Sequence, residues 1–251
     1  MSVSKPVYLF ANWKMYLDFD ESNILANALA NESKNFPKNV KMAIFPSALA
    51  LYPVGQVLAD VGIGLGAQNT YWVDKGGYTG EISAQMYKDA GCSYALAGHS
   101  ERRHQFHESN HETREKLEAI LAAGMTAVLC VGETAAEREK GQTDEAVEVQ
   151  LRAAFDNLTW PEGKNLFIAY EPVWAIGTGK NCDAKEAQRM HALIKKLVSG
   201  LVTGVNPIIL YGGSVRPENV DEYLGQPDIA GVLVGGASAK LDSWLGIVNK
   251  V

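Results

Sequence analysis

"LFIAYEP", Leu166–Pro172, is a short apolar run that ends on an acid. Its hydrophobicity is continuous rather than alternating, as in a strand covered on both faces, which is how parallel sheets are built. Glu171 stands where that strand ends, and Pro172 follows it at once. Seven further runs repeat the pattern: "VYLFAN" (Val7–Asn12), "KMAIFP" (Lys41–Pro46), "IGLGAQN" (Ile63–Asn69), "CSYALAGH" (Cys92–His99), "TAVLCVGE" (Thr126–Glu133), "PIILYGG" (Pro207–Gly213) and "GVLVGG" (Gly231–Gly236). Each closes at its C-terminal side on polar or glycine residues.

Helical patterns fill the gaps. Ser109–Glu112 has capping-box spacing ahead of Leu117, Ile120 and Leu121, with Gly124 just past the end. Asp183–Glu186 repeats the spacing before the stripe Met190, Ile194, Leu197, Val198, and Val147, Leu151, Ala154 and Phe155 form another. Strand and helix alternate eight times with no linker or low-complexity tract. The sequence therefore predicts an α/β fold, one (β/α)8 barrel domain spanning residues 1–251; the rival arrangement is an open doubly wound sheet.

The 251 residues are 47% hydrophobic and 21% charged, ordinary values for a globular domain. No apolar run reaches the roughly 20 residues that span a bilayer, and "MSVSKPVYLFANWKMYL" reads as a first strand rather than a signal peptide. Three cysteines, Cys92, Cys130 and Cys182, lie far apart and form no CxxC pair. That spacing argues against a disulfide framework or a zinc site and suits a reducing cytoplasm. The net charge of −6 argues against nucleic acid as a partner, so an anionic ligand would need local donors.

A barrel gathers the C-terminal ends of its strands at one mouth. Five of those ends carry chemistry: Asn12 and Lys14, His99, Glu171, then Gly212-Gly213-Ser214 and Gly235-Gly236. Taken singly, such residues are usually solvated or turn-forming; together on one rim they point to a site. The glycine pairs leave backbone N–H groups uncovered, with Pro217 and Glu218 fitting the first turn of a following helix, an arrangement that binds phosphate. Ser100 fits the cap of a short helix after His99, which would keep that imidazole neutral. Glu171 suits a carbon base if water is excluded, and Lys14 can stabilise developing negative charge. "PVWAIGTGK", Pro172, Val173, Trp174, Ala175, Ile176, Gly177, Thr178, Gly179 and Lys180, reads as a lid bounded by hinges.

The motifs "NWKM" (Asn12–Met15), "AQN" (Ala67–Asn69), "YTGEIS" (Tyr78–Ser83), "GHSERR" (Gly98–Arg103), "CVGE" (Cys130–Glu133), "AYEPVWAIGTGK" (Ala169–Lys180), "YGGSV" and "GVLVGGAS" together resemble the triosephosphate isomerase family. That family is itself the type case of a glutamate base working with a neutral histidine. The resemblance implies a TIM barrel that interconverts dihydroxyacetone phosphate and D-glyceraldehyde 3-phosphate in glycolysis and gluconeogenesis, without cofactor or metal. It implies Glu171 as base and His99 as electrophile, with Asn12 and Lys14 beside them. Gly177, Ser214, Gly235 and Gly236, with Asn12 and Lys14, would hold the substrate and its phosphate. It also implies a homodimer in which the Gly76–Gly80 loop carries Thr79 into the partner's pocket, with Glu81 and Arg102 at the interface. The long loop from Thr70 to Ser83 fits such a task.

The chain departs from the family pattern at two positions. Tyr16 replaces the usual Asn near the expected dimer contact. Ala239 replaces a Leu that the resemblance places over the carboxylate under the closed lid, so a weaker base and a slower enzyme are expected. Two other readings of the same residues are a Schiff-base aldolase with Lys14 as nucleophile and a phosphate-binding barrel without catalysis. The aldolase needs a desolvated lysine.

Overall fold

A computed structural model describes residues 5–177 and 181–251. Eight parallel strands close into a barrel in sequence order, β1 Val7–Asn12, β2 Val40–Phe45, β3 Gly64–Ala67, β4 Tyr94–Ala97, β5 Thr126–Val131, β6 Phe167–Tyr170, β7 Ile208–Tyr211 and β8 Gly231–Val234. Pairing of Tyr8 with Gly231 through Ala11 with Val234 joins the last strand to the first. The open sheet is thereby excluded. The helices around it are α1 Phe19–Glu32, α2 Leu51–Leu58, α3 Ala84–Asp89, α4 Ser100–Gln105, α5 Asn110–Ala122, α6 Ala135–Glu139, α7 Thr143–Phe155, α8 Ala184–Leu201, α9 Val220–Leu224 and α10 Leu241–Val248. None is long and apolar enough to cross a membrane among the described residues.

A period of two hides inside the apolar runs. Leu9, Ala11, Ile168 and Tyr170 belong to the core between strands and helices, whereas Phe10, Phe45, Leu96, Val128, Cys130, Phe167, Ala169, Leu210 and Leu233 fill the barrel. Successive side chains of a strand face opposite ways, so one further step beyond Phe167 and Ala169 aims Glu171 into the barrel mouth. The same step brings Asn12, Gly132, Gly212 and Gly235 to that level. A Cβ on Gly212 would come within 2.8 Å of the Glu171 side chain, and one on Gly235 within 2.9 Å of Lys14. Glycine at these two positions leaves the mouth open and makes room for its charged residues.

The helix starts follow the sequence signals in part. Ser109 caps α5 in a full box with Glu112, and Asp183 caps α8 by accepting from Lys185 N. The Asp183 cap does not close into a box with Glu186, whereas Asp18 with Glu21 forms another full box at the start of α1. Two expectations need correcting. His99, not Ser100, caps α4, its ring accepting from Glu101 N. Pro217 and Glu218 lie in a turn, and α9 begins only at Val220 after Asn219; Asn219 Oδ1 accepts the Arg216 N–H at 2.8 Å and holds that turn in place of a helical first turn.

Candidate active site

β1 ends on Asn12, and the chain then turns sharply at Lys14, whose φ of 49° lies in the left-handed region. A side chain held there costs on the order of 1–3 kcal/mol and persists only where its surroundings fix it. The Lys14 amide donates to Asn12 Oδ1 at 3.0 Å, and Gln68 Nε2 donates to the Lys14 carbonyl at 2.8 Å. The bend directs the ammonium along Gly235 toward Glu101, with which it pairs at 2.7 Å.

His99 and Glu171 meet across the mouth. Glu171 is 2% exposed. Oε2 accepts the Ser100 N–H at 2.7 Å, and Oε1 lies 3.2 Å from His99 Nε2. On the other side of the ring, Nδ1 accepts from Glu101 N at 3.3 Å, which assigns the ring proton to Nε2, facing Glu171. Beneath them, burial first and then the Glu171 carboxylate push the Cys130 thiol well above its ordinary value, so it packs as a neutral group.

These side chains line one cavity of about 690 Å³. Asn12, Lys14, His99, Glu171, Gly177, Ser214, Gly235 and Gly236, all singled out from sequence, share its wall. Val173 and Ile176 of the lid stretch line it too, together with Leu233 from β8. Thr178, Gly179 and Lys180 lie outside the described residues. Among the described residues no three metal-ligating side chains cluster.

The lid stretch is fastened at its start. Val173–Ala175 forms a 3-10 turn, and the Val173 amide donates to the Glu133 carbonyl at 3.0 Å. Trp174 turns away from the cavity and donates from Nε1 to Glu133 Oε1 at 2.7 Å, under the guanidinium of Arg138. Tyr170 donates to the same carboxylate at 3.0 Å. Burial pushes the Glu133 carboxyl up, and these hydrogen bonds offset only part of that rise. Ser214 Oγ donates to the Ala175 carbonyl at 2.7 Å, tying the lid stretch to the loop after β7.

Sequence reasoning passed over Glu133, although "CVGE" put an acid at a strand end, and over Glu101, the partner of Lys14 in "HSER". It also misjudged Ala239. That residue closes a 3-10 turn, Gly236–Ala239, is half-buried against the outer core, and does not line the cavity; Leu233 does. The expected loss of basicity therefore has no structural ground. Ala239→Leu should leave kcat/KM within about twofold of the parent, as for most substitutions away from a site, and a steady-state assay showing a clear gain would restore the earlier expectation. Tyr16 is 59% exposed and stands beside Gly236, where it lines the same cavity.

The residues expected at a dimer contact lie elsewhere on the surface. Thr79 and Glu81 are exposed at the tip of the loop after β3, whose base is closed by the bridge between Tyr71 and Ser83. Arg102 pairs with Glu108 at 3.1 Å and lies over the Phe106 ring.

The family model for triosephosphate isomerase matches residues 7–251. The chain is 44% identical over 248 residues to the triosephosphate isomerase of Geotalea uraniireducens, covering 98% of each sequence. It is 41% identical over 241 residues to that of Trichlorobacter lovleyi, with 95% of this chain and 96% of the relative covered. With that of Geobacter metallireducens it shares 43% over 242 residues, again 95% and 96%. A closed eightfold barrel and a match along nearly its whole length place this chain in the triosephosphate isomerase family.

Proposed function

We propose that this isomerase of triose phosphates moves a proton between adjacent carbons with Glu171 as the base and His99 as its partner. The observation that carries the reading is a nearly buried carboxylate 3.2 Å from an imidazole Nε2 inside one cavity. Glu171 takes the proton from the carbon beside the carbonyl of dihydroxyacetone phosphate, leaving a cis-enediolate. The Nε2–H of His99 donates to the oxygen on which charge develops, and the ring relays a proton between the two neighbouring oxygens. Glu171 then returns its proton to the second carbon, giving D-glyceraldehyde 3-phosphate. Lys14 supplies positive charge to the enediolate and the phosphate, and Asn12 holds the Lys14 turn. Backbone N–H groups of Gly177, Ser214, Gly235 and Gly236 receive the phosphate, and Val173, Ile176 and Leu233 form the apolar wall that keeps the base dry.

The aldolase alternative fares worse, because Lys14 is engaged in an ion pair with Glu101 at 2.7 Å rather than offered as a nucleophile. A cytoplasmic homodimer is part of the same reading. Exposed Met15 and Leu49, 94% and 84% accessible, and the projecting loop with Thr79 and Glu81 support a second copy as the partner, with Arg102 near the contact.

The test is isomerisation in deuterium oxide. The purified protein should convert glyceraldehyde 3-phosphate and leave deuterium on the carbon that receives the proton, while sedimenting at twice its 27.2 kDa chain mass. Turnover without any exchange would point to hydride transfer and remove Glu171 as base.

A further inference from the structure

The cavity floor is poor in free positive charge. Lys14 is ion-paired with Glu101, and Glu171 adds a second carboxylate. A phosphate dianion approaching a protein of net charge −6 meets this floor only after crossing the rim. Two cations line the rim of the same cavity: Arg216, two residues past Ser214 in the loop after β7, and Lys240, four residues past Gly236 after β8. Both are exposed, and among the described residues neither has a carboxylate within ion-pair distance. Most other surface cations near acids do find one, as Arg189 does with Glu186 and Asp144, Lys195 with Asp228 and Lys250 with Asp221. The turn that bears Arg216 is pinned by Asn219, which accepts the Arg216 N–H at 2.8 Å and donates to the Ser214 carbonyl at 3.1 Å. The guanidinium is thus rooted in the same short loop as the Ser214 amide.

We propose that Arg216 and Lys240 form a cation pair that draws the substrate's phosphate to the cavity and holds it over the glycine amides. The assignment rests on the triose phosphate reading above. An unpaired cation at a cleft mouth raises the capture rate of an anion, and salt screens the effect. Their positions on the two loops that carry the glycine pairs make them positioning residues for binding rather than participants in proton transfer.

Steady-state kinetics with glyceraldehyde 3-phosphate, from about 10 to 200 mM salt, test this on Arg216→Gln, Lys240→Gln, the double variant and Arg216→Lys. Each single change should lower kcat/KM by about three- to tenfold at low salt, with the loss in KM and kcat little altered. The double variant should show a shallower dependence on salt, and Arg216→Lys should recover most of the loss. Titration calorimetry with inorganic phosphate should show weaker binding by the double variant by about tenfold. Unchanged KM and an unchanged salt slope would overturn the proposal, as would a loss confined to kcat. The phosphate titration needs no turnover. If the parent chain failed to isomerise, the reaction assignment would fall, while equal phosphate affinity in parent and double variant would separately remove the cation pair.

Discussion

Glu171→Gln should lower kcat by about a thousandfold or more, within the 10²–10⁴ range typical of a positioned general base. The amide keeps the volume of the acid, so the barrel should stay folded. Its oxygen can still accept the Ser100 N–H, the hydrogen bond made by the native carboxylate. The amide nitrogen cannot take a proton from carbon, and it would face the Nε2–H of His99 donor to donor. KM should therefore move far less than kcat. Glu171→Asp makes a useful companion, because it keeps the carboxylate and draws it back by one methylene; a misplacement of about 1 Å can cost about a hundredfold. Rates of both variants beside an unchanged circular dichroism spectrum check the argument. If Glu171→Gln lost less than tenfold, the proton would have to be taken by another group.

The second large effect is on stability. Glu108 is buried, and its carboxylate accepts from Gly98 N at 3.1 Å, Arg102 Nε at 3.1 Å and Lys116 Nζ at 2.5 Å. Lys116 is only 3% exposed, and its other hydrogen bond goes to Asn69 Oδ1. Glu108→Ala removes the negative partner and leaves that ammonium inside the protein, a change that costs on the order of 3–5 kcal/mol. It also frees the Gly98 amide immediately before His99, so activity should fall with stability. The pH dependence has a definite sign. Burial alone would raise the Glu108 carboxyl, but Lys116 and then Arg102 outweigh it and hold the group below its ordinary value of 4.5. Its contribution is complete above that value and is lost as pH falls through the lower, folded-state value. The difference between parent and Glu108→Ala in denaturant unfolding should be large at pH 7 and should narrow as pH falls through that lowered value. A gap under 1 kcal/mol at pH 7 would show that Lys116 finds other solvation.

The barrel was legible because its strands are buried on both faces, which leaves apolar runs long enough to count and polar breaks where each one ends. Glu171, His99, Lys14 and the glycine pairs stood out as those breaks. What escaped notice depends on contacts between residues distant in sequence. Lys14 and Glu101 are 87 residues apart, and Glu133 reaches Trp174 across 41. Lys116 sits in "HETREKLEAI", where a lysine reads as solvated, and only the fold reveals a buried pair with Glu108. Ala239 failed for another reason. Its expected place came from the resemblance, which does not tell which way a short 3-10 turn faces in this chain, whereas the period of two along β8 carries Leu233 inward whatever follows it.

The resting hold on Glu171 has a consequence for how affinities compare. With one oxygen accepting the Ser100 amide N–H and the other 3.2 Å from His99 Nε2, the acid is held in place. A compound that needs the carboxylate at its carbon can bind productively only from the fraction of molecules in which that hold has opened, so its apparent dissociation constant is weakened by that fraction. An inert phosphate ester seated in the glycine cradle draws on the whole population. The two should therefore bind with more nearly equal strength than their contacts suggest, and the full strength of the reacting compound's contacts should emerge only as its carbon gives up the proton.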